Sequence, residues 1–237
     1  MTVDAPDETA AGRARPTAPG WPEILAGGAV YAASFALVAV LLPLVGDAAV
    51  AGVVGLVVSG LMGLLALAVA VLIRIRGLPA FGFRRARPRH LVVAAVLGLV
   101  AYVLGATISV AYMLLSGDVQ NVQTSYQAAA AAGWWSLALA AVAGAIITPL
   151  GEEGFFRGVV ANVLLARYGA WVGVVVSAAI FALAHGINPV LPAAFVVGVF
   201  TALLFRWSGS IWPGVVLHGV NNAVALVVPL LLALAAV

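Results

Sequence analysis

The sequence predicts an all-α fold: a polytopic transmembrane helical bundle of about seven spans, with eight as the alternative count. Three observations predict it. Of 237 residues, 65% are hydrophobic and 8% are charged. The apolar residues come in runs of roughly 18–25, the length a helix needs to cross a bilayer core of about 30 Å. Barrel-type alternation is absent, and lipid leaves only helices or closed barrels as spanning structures.

The elements follow in order. Residues 1–20 are polar and rich in Ala, Pro and Thr, and read as a disordered cytoplasmic tail. Residues 21–237 read as one transmembrane domain. Span 1 is expected at about 24–46 and span 2 at about 49–73. The glycines of span 2 (Gly52, Gly55, Gly60 and Gly63) form a face that admits a close neighbour. Residues 74–90 are a basic loop. Span 3 follows at about 91–115, and a polar segment at 116–133. From Trp134 to Arg167 the sequence reads as continuous helix, roughly 50 Å long and too long for one straight crossing. Pro149 and Gly151 are expected to kink it. Spans 5, 6 and 7 are expected at about 170–187, 190–205 and 211–235. The eight-span alternative gives residues 152–168 a crossing of their own.

Charge sets the orientation. All eleven basic residues are Arg, and six of them (Arg74, Arg76, Arg84, Arg85, Arg87 and Arg89) lie in the loop 74–90. Such clusters stay in the cytoplasm, which places this loop and the N-terminus there and predicts a multi-pass protein of the cell membrane. The clustering reads as a topology signal, and nucleic acid is not an expected partner. The chain has no cysteine, which excludes disulfides and thiolate metal sites.

Five of the eight acids (Asp4, Asp7, Glu8, Glu23 and Asp47) fall in the tail or near the ends of the first apolar run. Asp118 lies in the polar segment. Only Glu152 and Glu153 sit inside apolar sequence. An ionisable group at membrane depth costs about 2.5–3.5 kcal/mol by insertion assays, so it marks function by default. Glu153 and Arg157 are four residues apart on a helix and can pair. Glu152 points about 100° away, which leaves it as the expected base. His185 shares a helical face with Phe181, and His218 shares one with Asn222. Gly151, Gly154 and Gly158 let neighbouring helices approach.

A Glu base with His and Asn donors suits activation of water and stabilisation of an oxyanion. Glu152, His185 and His218 would equally suit a catalytic zinc with an open position. Both readings stay open on the residues alone. There is no His-Glu-x-x-His and no Gly-x-Ser-x-Gly, so the usual zinc-protease helix and hydrolase elbow are absent. A proton-coupled transporter would need polar residues along several spans, and the first three offer only small hydroxyls such as Ser34, Ser59, Thr107 and Ser109. A non-catalytic immunity or scaffold protein of the same fold is the remaining alternative.

In this order on late spans, Glu152-Glu153-x-x-x-Arg157, Phe181-x-x-x-His185 and His218-x-x-x-Asn222 resemble the CPBP family, the CAAX prenyl protease and bacteriocin-processing (Abi) enzymes. The resemblance covers about residues 130–235, the expected catalytic core. It implies an intramembrane endopeptidase acting on a peptide or protein substrate, lipidated CAAX-type or bacteriocin-type. It implies that Glu152 and His185 activate a water, and that His218 and Asn222 stabilise the oxyanion. Glu153, Arg157 and Phe181 would support them. The family is described both as metalloproteases and as metal-free glutamate enzymes. One strain remains. His185 comes late in an outward-running span, whereas Glu152 comes late in an inward-running one. A separation beyond about 10 Å would rule out a shared site, because water-bridged groups need contacts near 3 Å on each side.

Overall fold

The computed structural model of the chain describes residues 18–75 and 77–235. The expected disordered tail lies outside them except for residues 18–20. All regular structure among the described residues is helical: α1 (Trp21–Leu41), α2 (Ala48–Ile73), α3 (Pro88–Ser116), α4 (Thr124–Ala131), α5 (Trp134–Val142), α6 (Thr148–Phe155), α7 (Asn162–Leu183), α8 (Leu191–Ser208) and α9 (Trp212–Ala235). Six helical runs among them are long and apolar enough to cross a membrane.

One of the six, Trp134–Leu183, is 50 residues long. It breaks at Gly169, whose φ of 79° only glycine adopts without strain. Beyond the break Gly173 packs against the backbone of Leu165, so the chain doubles back and crosses twice. Seven crossings result. Residues 134–168 run on without reversing, so the eight-span alternative is dropped.

Local chemistry sets the ends. Asp47 caps α2 by accepting from the Val50 amide at 2.9 Å. Gly117 (φ 72°) closes α3 in the left-handed conformation. The polar segment 116–133 contains α4, which packs on α2. Its apolar face, Ala129 and Ala130, is buried. The Glu23 carboxylate, expected near a span end, is fully buried and held by Arg74 from Nε (2.8 Å) and Nη2 (2.6 Å) and by the Gly20 amide (2.8 Å). This clamp ties the start of α1 to the end of α2, so both lie at the membrane face that carries the basic loop.

The expected kink near Pro149 takes a different form. Proline supplies no amide to the preceding turn, and the helix absorbs the defect as a π-helical turn over Ala143–Ile147 just before it. A second π-helical turn, Phe156–Ala161, follows α6. Each widened turn re-aims the helix after it, and such turns concentrate at functional sites. The acid pair lies between the two.

The glycine face of α2 meets α6 with no side chain between them. Gly60 lies against Ile147 and Gly151, and Gly63 lies against Gly151 and the Glu152 amide. A Cβ on Gly151 would collide with the Gly60 carbonyl oxygen. Gly151→Ala is therefore expected to cost about 1–3 kcal/mol through overpacking. The measurement is the melting temperature of the detergent-solubilised variant against wild type, and an unchanged value would mean that this approach is soft.

Candidate active site

Five segments converge on Glu152, which is buried. The close approach of α2 to α6 brings Ser59 within reach, and its hydroxyl donates to Glu152 Oε1 at 2.6 Å. The other oxygen, Oε2, is buried without a hydrogen-bond partner. It faces His185 Nε2 and His218 Nε2, each at 3.9 Å. The separation between Glu152 and His185 is thus far inside the 10 Å bound. His185 does not lie within a helix, as expected, but just past the end of α7. The chain turns there at Gly186 (φ 84°), and Asn188 Nδ2 donates to the His185 carbonyl at 2.7 Å.

Hydrogen bonding assigns the imidazole protons. His185 Nδ1 lies 2.9 Å from the Phe181 carbonyl oxygen. A carbonyl only accepts, so Nδ1 carries the proton and Nε2 of the neutral ring presents its lone pair to the cavity. His218 Nδ1 lies 3.2 Å from Glu153 Oε1, and the same reasoning applies. A gap of 3.9 Å is too long for a direct bond. Two bonds of about 2.8 Å meeting near a right angle span about 4 Å, so one water fits between Oε2 and either ring.

Glu153 has a different environment. It is fully buried, and its Oε2 lies 3.1 Å from Arg157 Nε. Arg157 is 1% exposed. Its Nη2 also donates to Thr201 Oγ1, and its guanidinium lies 4.3 Å from the centre of the Phe181 ring. Phe181 in turn packs edge-on against the rings of His185 and His218. Arginine, phenylalanine and both histidines form one stack beneath the site. Asn222 lines the cavity, but its Nδ2 donates to the Gly144 carbonyl in the first π-helical turn at 2.9 Å, and its Oδ1 accepts from Asn221. One amide hydrogen of Asn222 is left for a ligand.

Glu152 Oε2 with two imidazole nitrogens is a donor set that a catalytic zinc takes. As arranged, it does not close on one. The 3.9 Å separations exceed the edge of about 3.3 Å that bonds of 2.0–2.1 Å give a tetrahedral site. Among the described residues no group of three His, Cys, Asp or Glu is placed to hold a metal ion.

Two contributors escaped the sequence reading. Ser59 was visible only as a small hydroxyl in an early span. Tyr126, on α4, lines the cavity with Glu152, and burial together with the Glu152 charge pushes its phenol up, so it remains a donor. No periodic signal pointed to either, because both depend on how α2 and α4 pack. Ser59→Ala removes a hydrogen bond to a charged group, worth about 1.5–3 kcal/mol. A loss of at least about tenfold in kcat with little change in KM is expected, with Ser59→Thr restoring most of it. A variant that changes KM alone would place Ser59 in substrate binding.

Residues 134–224 match the family model for type II CAAX prenyl endopeptidases, Rce1-like. The match is consistent with the CAAX protease family and, at the level of the family, supports an intramembrane endopeptidase. No curated protein and no solved structure matches the chain. Ser59 and Tyr126 lie outside the matched segment, so part of the site is built from the unmatched half.

Proposed function

Starting from an Rce1-like segment set in a multi-pass membrane bundle, we propose that this protein hydrolyses a peptide bond within the membrane, using Glu152 as general base on a bound water. The observation that carries the reading is the lone buried oxygen of Glu152, one water's width from two imidazole lone pairs. A water between Glu152 Oε2 and His185 Nε2 donates both protons and turns its own lone pair to the cavity. Glu152 takes one proton as the oxygen attacks the scissile carbonyl. Ser59 holds Oε1 and so fixes which oxygen does this.

The tetrahedral oxyanion needs donors. The free amide hydrogen of Asn222 is one. His218, oriented by Glu153 at its Nδ1, stands beside it and donates from Nε2 once that nitrogen carries a proton. Arg157 holds Glu153 in place, so the ion pair acts through His218. Proton return from Glu152 to the leaving amine completes the cycle. The cavity at Glu152, about 520 Å³, has room for a peptide segment, and the substrate is a CAAX-type lipidated protein or a small bacteriocin-type peptide.

The test is cleavage of a panel of prenylated and unmodified peptides by purified protein, with and without a chelator. Cleavage indifferent to the chelator is expected. Loss of activity that zinc restores would move Glu152, His185 and His218 into a metal site. No cleavage of any peptide would count against the endopeptidase and for a scaffold of the same fold.

A further inference from the structure

We propose that the cavity at Glu152 opens on the membrane face opposite the arginines, so that the protein takes an uncharged peptide segment presented at the non-cytoplasmic surface. The chemistry assumed is that of the endopeptidase above; the direction comes from the fold alone.

The path from Glu152 toward the arginine-bearing face is closed. The chain runs that way from α6 into α7, and residues 153–161 are buried without exception. The ion pair of Arg157 and Glu153 sits there, packed on Phe181. Leu217 and Ile211, both fully buried, fill the same half. A peptide cannot thread a region packed at native density without displacing a buried charge pair.

The other direction is open twice over. One cavity of about 520 Å³ runs from Glu152, His185 and His218 to Gln120 and Asn121, in the link between α3 and α4. A second, about 620 Å³, also touches Glu152 and His185 and runs to the turn between α1 and α2, at Leu42 and Gly46. The end of α3, the end of α1 and the start of α2 all lie at one membrane face. The two cavities share Ser59, Tyr126, Glu152 and His185 in their walls, and both lead from the same carboxylate to the same side.

The arginines mark the opposite side. Arg74 ends α2, Arg84, Arg85 and Arg87 precede α3, Arg89 lies in its first turn, Arg167 precedes the break at Gly169, and Arg206 ends α8. Among the described residues the face with the cavity mouths carries Asp47 and Asp118 and no arginine. The basic side of such an asymmetry is retained in the cytoplasm, which puts the mouths outside.

The lining of the mouth suits one class of ligand. Gln120, Asn121, Gln123 and Gln127 surround it, with Asn221 and Asn222 deeper. Carboxamides supply both donors and acceptors to a peptide main chain. They offer no counter-charge, and the one carboxylate deeper in the cavity, Glu152, is taken up by Ser59 and the reacting water, so a charged side chain drawn in among them would be desolvated without a free partner. Neutral residues around the scissile bond are the ones this cavity accommodates.

The chain has no cysteine, so single cysteines report accessibility cleanly. Val119→Cys and Asn121→Cys probe the mouth, and Leu78→Cys probes the basic loop; all three positions are exposed. Intact cells expressing each variant are treated with a membrane-impermeant maleimide, before and after permeabilisation. The two mouth positions are expected to label at least tenfold faster than Leu78→Cys in intact cells, with the difference gone after permeabilisation. Any pattern in which they are not the faster pair overturns the orientation. Labelling needs no substrate, so a wild type that cleaves nothing in the peptide panel ends the endopeptidase reading and leaves the orientation result standing. For a cleaved peptide, placing Lys or Glu beside the scissile bond is expected to lower kcat/KM at least tenfold, and equal rates would overturn the charge selectivity.

Discussion

Glu152→Gln is expected to abolish measurable peptide cleavage while leaving the protein folded. The amide is nearly isosteric with the carboxylate, and its oxygen can still accept from Ser59, so the approach of α2 to α6 is kept. What is lost is the group that takes a proton from water. General base catalysis contributes about 10²–10⁴ in rate, and a loss of that size in kcat/KM is the expected result. Its measurement is the initial rate of cleavage of the best peptide by the two purified proteins, alongside their melting temperatures in the same detergent. A variant that stays within threefold of wild type would remove Glu152 as the base. A variant that loses both activity and melting temperature would point to a structural role for the carboxylate.

The second large effect belongs to stability. Arg157→Met is expected to cost about 3–5 kcal/mol, because it leaves the Glu153 carboxylate buried without its cation. Glu153 has no route to water, being fully buried, and its remaining partner is His218 at 3.2 Å. The double variant Glu153→Gln with Arg157→Met removes both charges and is expected to recover much of that loss. Replacing a buried pair by neutral groups of similar volume is often close to neutral. Thermal melting of the single and double variants in one detergent decides the point. A double variant no more stable than the single would show that the arginine acts through Thr201 and Phe181 rather than through charge. Cleavage need not recover with stability, because the double variant also loses the carboxylate that orients His218.

The two predictions separate the members of an adjacent pair. Glu152 and Glu153 are neighbours in sequence, but helical geometry turns one toward the cavity and the other into the packed half. One is held by a hydroxyl and the other by a guanidinium. In the proposed mechanism the environment, and not the residue type, divides the base from its support.

Much of this was legible in the order of residues. The length and polarity of the apolar runs determine a helical membrane bundle, since lipid tolerates no unsatisfied backbone. The spacing of Glu153 and Arg157, and of His218 and Asn222, places each pair on one helical face, because the period of 3.6 is a local property. The isolation of two acids in hydrocarbon sequence pointed to them directly. Tertiary structure decided the rest. Which oxygen of Glu152 is free depends on Ser59, 93 residues away in the chain, and that contact exists because Gly60, Gly63 and Gly151 let two backbones touch. The π-helical turns that aim the acid pair, the position of His185 beyond its helix, and the arrival of α4 over the cavity are likewise outcomes of packing. Periodicity reports which face a residue occupies on its own helix. It does not report which other helix that face will meet, because that is settled by the mutual fit of surfaces far apart in sequence.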